Sequence, residues 1–199
     1  VVSILISNSL FGANYIEQGN SSDGVGGAVY AQSVLDLDVY NTIFAENESS
    51  SKGGAVAFDT VTELELINNN ILSTVAADGS VWLYTIASGE LSNNVFSDNQ
   101  SAVLVTDSSL SVSHNNWNNN TTNSSGSTIV SVGTDGNIDE LPEFSAYTAD
   151  GNFENDNYAL LCTSPLIDAG LYADASSGLC SNNSALTGDI GAFGGEHFV

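Results

Sequence analysis

Basic side chains are almost absent from this chain. Its 199 residues hold one lysine, Lys52, and no arginine, against 24 acidic residues, for a formal net charge of −23. Such a surface repels phosphate backbones and anionic lipid headgroups, and it lacks the cations whose counterion release drives nucleic-acid binding. Nucleic acid is therefore excluded as a partner class. No apolar run reaches the 18 or more residues that a membrane-spanning helix needs, so membrane insertion is not expected either. Methionine is missing and only two prolines occur, Pro142 and Pro165, both in the last third. With 42% hydrophobic residues, the chain can still build a continuous core.

Cysteine is nearly as scarce. Cys162 and Cys180 lie 18 residues apart. A bridge between them would close a loop worth about 3 kcal/mol in the chain-entropy model and would imply an oxidising, exported location. Two buried free thiols are the alternative. The start, Val1-Val2-Ser3-Ile4-Leu5-Ile6, has no basic residue before its apolar run and reads as a strand rather than a signal peptide. Since the first residue is not methionine, the sequence is expected to be a piece of a longer chain.

What the sequence does have is a repeat. An F-x-x-N half occurs as Phe11 to Asn14, Phe44 to Asn47 and Phe96 to Asn99, with variants at Ile71 to Thr74 and Trp117 to Asn120. A G-G-A-V half occurs at residues 26–29 and 53–56 and then decays. The aromatic positions 11, 44, 71, 96 and 117 are separated by 33, 27, 25 and 21 residues. Self-similarity at such periods is the signature of a solenoid. Each unit reads as three short strands rich in β-branched residues, with turn chemistry between them and few helix signals. One unit cannot bury its own apolar face, but parallel stacking of units can. The fold class expected is all-β, a right-handed parallel β-helix of about five to seven coils. Residues 1–132 form the coils, and residues 133–199 form end-coils and an irregular cap, stapled by the cysteines, that protects the last open edge.

Within that frame Phe11, Phe44, Ile71, Phe96 and Trp117 are expected to stack as an internal ladder. Asn8, Asn41, Asn68 and Asn93 are expected to form a second ladder at a turn, each amide bonding to the amide of the next coil, as in cross-β assemblies. His114 takes the fifth place in that ladder as a turn residue. The glycine pairs Gly26/Gly27 and Gly53/Gly54 let the backbone turn sharply or approach its neighbour closely.

The paired F-x-x-N and G-G-A-[ILV] halves resemble the repeats of the polymorphic outer membrane proteins and of wider bacterial sets of right-handed parallel β-helix surface proteins. The stretch from Asn137-Ile138-Asp139 through Ser164-Pro165-Leu166-Ile167-Asp168-Ala169-Gly170 to Asp189-Ile190-Gly191-Ala192-Phe193-Gly194-Gly195 is similar to the closing segment of many secreted bacterial β-helix proteins. The resemblance implies an exported, cell-surface or extracellular protein. One scaffold hosts many functions, so the activity must be argued from sites.

Polysaccharide lyases on this fold are implied to use an arginine or lysine beside calcium, and no arginine is present. Glycoside hydrolysis needs only two suitably spaced carboxyl groups. Asp36/Asp38 and Glu63/Glu65 supply candidates, but a solvated acidic face is the preferred reading of them, and no catalytic residue is assigned. Asp150, Asn152, Glu154 and Asp156 offer oxygens at alternate positions, as calcium loops do, but Asn155 stands where such a loop needs glycine. Asp168 and Asp189, each close to a glycine, are expected to bond to main-chain amides of the cap.

The function expected is a non-enzymatic structural or adhesive segment with no cofactor, a structural calcium ion at Asp150, Asn152, Glu154 and Asp156 being the alternative to a plain polar turn there. Its expected partners are other copies, flanking coils of the parent chain, a surface polysaccharide or a protein of a host or neighbouring cell. A carbohydrate-binding or glycoside hydrolase-type module is the alternative. Far-UV circular dichroism should show a β-dominated spectrum with almost no helical contribution, and a helix-dominated spectrum would contradict the solenoid.

Overall fold

The computed structural model describes residues 2–17, 24–171 and 188–193. The chain winds as a parallel β-solenoid. The first rung contains β1 (Ser3–Ser7), β2 (Leu10–Gly12) and β3 (Tyr15–Ile16). The second contains β4 (Val29–Tyr40), β5 (Ile43–Ala45) and β6 (Glu48–Ser49). The third holds β7 (Val56–Ile67) and β8 (Asn70–Leu72), and the fourth holds β9 (Val81–Ser92) and β10 (Val95–Ser97). The fifth holds β11 (Val103–Thr106), β12 (Leu110–Ser113) and β13 (Asn116–Asn118), after which β14 (Ser124–Gly126) begins a further rung. Strands stack in the order β1-β4-β7-β9-β11-β14 on one sheet and β13-β10-β8-β5-β2 on another. Five stacked rungs make about four turns, fewer than the five to seven coils expected. The difference arises because residues beyond 138 leave the stack.

Two of the three strands expected per unit are one. β4, β7 and β9 each run for 12 residues and bend at a corner where Ser33, Thr60 and Thr85 have φ of 60°, 60° and 56°. Left-handed backbone recurs in register at every corner. Gly26, Gly53 and Gly79 form one column, Asn8, Asn41, Asn68, Asn93 and His114 another, and Ala13, Glu46, Ser73, Asp98 and Asn119 a third. A single residue at positive φ between extended segments redirects the chain without interrupting stacking. It costs roughly 1–2 kcal/mol for residues other than glycine. Gly27 is required for a different reason: a Cβ there would run into the carbonyl oxygen of Gly54 on the next rung.

The core fills the tube. Leu37, Leu64 and Leu91, with Val39 and Leu66, are completely buried on the long sheet. Facing them is the aromatic column, in the register Phe11–Phe44–Ile71–Phe96–Trp117. Phe11 lies on Phe44 with ring centroids 5.2 Å apart and planes 8° from parallel, and Phe96 lies on Trp117 at 4.4 Å and 8°.

Residues 135–138 cover the fifth rung: His114 N donates to Asp135 O, and Trp117 N donates to Ile138 O, both at 2.9 Å. The rest of the expected cap does something else. Residues 141–171 and 188–193, with the antiparallel pair β15 (Phe144–Ala146) and β16 (Asn157–Leu160), lie along the flank of the stack. There Tyr158, Leu166, Ile190 and Ala192 pack on Ile43, Ala45, Leu72 and Val95. Four of the six outward positions of β5, β8 and β10 are apolar, Ile43, Ala45, Leu72 and Val95, which is why this flank must be covered. Phe96→Ala should destabilise the fold by about 3–5 kcal/mol, because it removes a fully buried ring and strands Trp117 against a cavity. Chemical denaturation measures this, and an unchanged midpoint would mean that the ring is not part of the core.

Candidate functional site

The outer surface of the long sheet carries two kinds of side chain, separated by the corner at Ser33, Thr60 and Thr85. Beyond the corner, acids stand opposite one another across neighbouring rungs: Asp36 pairs with Glu63, and Asp38 with Glu65, which in turn pairs with Glu90. Neighbouring rungs are about 4.8 Å apart, so each carboxylate has a like charge alongside. Hydroxyl groups offset this repulsion. Tyr40 OH donates to Glu65 Oε2, Ser3 Oγ to Asp36 Oδ2 at 3.2 Å, and Ser92 Oγ to Glu90 Oε1 at 2.6 Å. Partial burial, then the Asp36 and Glu65 charges, hold the Asp38 carboxyl above the usual carboxylate range, opposed by a hydrogen bond from Tyr40. Burial and the hydrogen bond to Glu65 push the Tyr40 phenol well above its ordinary value.

Before the corner the surface is aromatic. Trp82 and Tyr84 stack at 5.6 Å with planes 4° apart, and Lys52 Nζ lies 5.0 Å over the Trp82 ring. Tyr30 is two rungs away in the same row, with the small Ala57 between it and Trp82. Gln32 Nε2 donates to Asp59 Oδ2 at 2.7 Å in the adjacent row. This half offers ring faces with one carboxylate, Asp59, and one ammonium group, Lys52, while the half beyond the corner offers an uninterrupted row of negative charge.

The first rung differs from both. Residues 2–16 contain no charged side chain. β1 and β2 are the terminal strands of their sheets, and β3 pairs with β6 alone. Leu5, Leu10 and Tyr15 are 63%, 50% and 57% exposed, and Val2 and Ile16 are exposed with them. Natural edges are ordinarily blunted by charge, proline or cover, and among the described residues the charge nearest this one in sequence is Glu17, just past β3.

The asparagines expected to form a ladder do not form one. Asn8, Asn41, Asn68 and Asn93 all sit at φ between 47° and 55°, and one amide-to-amide bond joins them, Asn93 Nδ2 to Asn68 Oδ1 at 3.4 Å. Left-handed backbone turns these side chains to the outside of the corner, where Asn68 donates to the carbonyls of Asp189 and Gly191. The ladder lies one residue later. Asn94 Oδ1 accepts from both the main-chain and side-chain nitrogens of Asn69 at 3.0 Å, and Asn94 Nδ2 donates to Leu66 O at 2.7 Å. Asn115 repeats the pattern on Asn94, and Asn137 repeats it on Asn115.

A second ladder uses the asparagine of the F-x-x-N half. Asn47 reaches Asn14 and Phe11 O, Asn99 reaches Thr74 and Ile71 O, and Asn120 reaches Asn99 and Phe96 O. The Asn68-Asn69 and Asn93-Asn94 doublets and the motif asparagine were visible signals for both ladders. His114 ends the outer column, at φ 52°, with its ring against Gly136.

Two of the four calcium candidates, Asp150 and Asp156, accept hydrogen bonds within their own turn. Asp150 Oδ1 accepts from Asn152 N at 3.0 Å, and Asp156 Oδ1 accepts from Thr148 N at 2.8 Å. The 3₁₀ turn Phe153–Asn155 interrupts the alternation that would have aligned Asp150, Asn152, Glu154 and Asp156. Among the described residues no group of three or more acidic, histidine or cysteine side chains converges as a metal cage would. Asp189 Oδ1 accepts from Asp168 N at 2.8 Å. Cys162 is disulfide-bonded, and Cys180 lies outside the described residues. Comparison with protein-family models, with curated proteins and with solved structures finds no match to this chain.

The acid row sets a pH dependence. A carboxyl whose folded-state pKa is raised contributes stability that is full below its ordinary range and is lost as pH rises through the raised value. Acidification from neutrality should therefore first strengthen the fold rather than weaken it. Asp38→Asn should raise the melting temperature at neutral pH and flatten this rise, measured by thermal denaturation across a pH series. A variant whose stability rises on mild acidification as much as the parent's, or more, would contradict the assignment.

Proposed function

We propose that this chain is a structural or adhesive segment of an exported surface protein, acting through polypeptide contact at its first rung and not through catalysis. The observation that carries this reading is the edge formed by β1, β2 and β3, open among the described residues and free of charged side chains within its strands, on a molecule otherwise dense in negative charge. Strand edges recruit further strands by main-chain hydrogen bonding, and inward pockets for alternate side chains add specificity. The added rung comes from another copy or from a flanking stretch of a longer polypeptide. The disulfide at Cys162 supports an oxidising, extracellular location.

A carbohydrate-binding module is the second reading. It is favoured by the exposed rings of Tyr30 and Tyr84 beside the polar pair Gln32 and Asp59. The ordered hydroxyl-carboxylate contacts on the acid row give its carboxylates structural partners, which weighs against a hydrolase.

Sedimentation velocity over a concentration series tests the first reading. The parent chain should self-associate, and Leu5→Lys with Tyr15→Lys, which place cations on the edge, should weaken association about tenfold or more without changing the melting temperature. Association that is insensitive to both substitutions, or a parent chain monomeric at every concentration, would remove the first rung as the self-association surface.

A further inference from the structure

The outer asparagine column does different work at each rung. On the fourth rung Asn93 Oδ1 accepts from Leu171 N at 2.8 Å, and its main-chain carbonyl accepts from Gly191 N at 2.8 Å. On the third, Asn68 Nδ2 donates to the carbonyls of Asp189 and Gly191, both at 3.2 Å, and the nearby Asn70 Oδ1 accepts from Ala192 N at 3.0 Å. In every case the partner is a peptide group of chain running outside the corner. One rung lower stands Asn41, the same residue type with the same left-handed φ of 47°. It is only 5% exposed, yet neither its Oδ1 nor its Nδ2 has a hydrogen-bond partner. It borders a cavity of about 320 Å³ whose walls include Asn8, Leu10, Ile43, Ala192 and Phe193.

A buried amide with donor and acceptor both unused has given up its hydration without compensation, and such groups in native proteins call for a partner. We propose that the cavity at Asn41 is a binding site for the extended main chain of a partner polypeptide. A carbonyl of the partner accepts from Asn41 Nδ2, a peptide N–H donates to Asn41 Oδ1, and an apolar side chain packs among Leu10, Ile43 and Phe193. The chemistry is that of Asn68 and Asn93, repeated one rung lower in the same column. Among the described residues the walls carry no charged side chain, so none of them would pair with a metal ion or a phosphate there. The inference rests on the reading that the first rung is the contact end, since Asn8 and Leu10 belong to that rung, and it names what the contact recognises.

The test is nuclear magnetic resonance on the isotope-labelled full chain, titrated with acetyl-Asp-Ile-Gly-Ala-Phe-amide, a copy of residues 189–193. The Asn41 side-chain amide signals should shift and saturate. Asn41→Gly, which keeps the positive φ and deletes the amide, should weaken peptide binding about tenfold or more. An Asn41→Gly variant that binds the peptide as well as the parent, with or without a lower melting temperature, overturns the proposal. So does a response of the Asn41 amide to methyl glucoside with none to the peptide, which would assign the cavity to glycans. An Asn41 amide protected from hydrogen exchange in the free chain and indifferent to peptide would show the corner filled from within, and also overturns it. Peptide binding that survives Leu5→Lys separates this site from the self-association surface, so the two readings fail independently.

Discussion

Each rung of this solenoid is fastened to the one before it by a buried asparagine. The side-chain amide of Asn94 takes the main-chain nitrogen of Asn69 and gives a hydrogen to the carbonyl of Leu66, and Asn115 and Asn137 repeat the contact. At a corner the main chain cannot continue the inter-strand ladder, and unpaired peptide groups in a dry interior cost far more than a made hydrogen bond returns. The asparagine supplies one acceptor and one donor at the place where both are missing. Stacking of the aromatic column, closure of the tube and the register of all the sheets follow, because the ladder fixes which residue lies over which.

A rigid register has an electrostatic consequence. Side chains on the outer face are held one rung apart whether or not they attract, so Asp38, Glu65 and Glu90 stand in line. The protein tolerates the row by facing it to water and by donating hydroxyl hydrogens into it from Tyr40, Ser3 and Ser92. Charge then stops at the first rung, whose strands carry apolar and small polar residues on an open edge. The molecule is thus polarised: an acidic flank that discourages association sideways, and a neutral end that permits it along the axis.

The flank over β5, β8 and β10 solves a different problem. Its outward residues are too apolar for water, and residues 141–171 with 188–193 cover them through a second core around Tyr158, Leu166 and Ile190. The outer asparagines fasten this cover by its main chain, which explains why the same residue type recurs at a corner where it makes no ladder.

By itself the sequence determined the solenoid, the inward column from Phe11 to Trp117 and the sites of the turns, because each depends on spacing along the chain. It also determined the chemistry of the surface, since 24 acids and one lysine leave little freedom. It misplaced the ladder by one residue: in a doublet such as Asn68-Asn69, spacing cannot say which asparagine takes the left-handed backbone and faces out. That choice follows from how the strands meet at the corner, as does the fusion of two expected strands into β4, β7 and β9. The path of residues 141–171 was likewise decided only in three dimensions. Whether an irregular segment closes an end or lies along a side depends on which distant apolar surface remains uncovered, and no local pattern records that. The isolation of the buried Asn41 amide belongs to the same class, being a property of what the folded chain leaves unpaired.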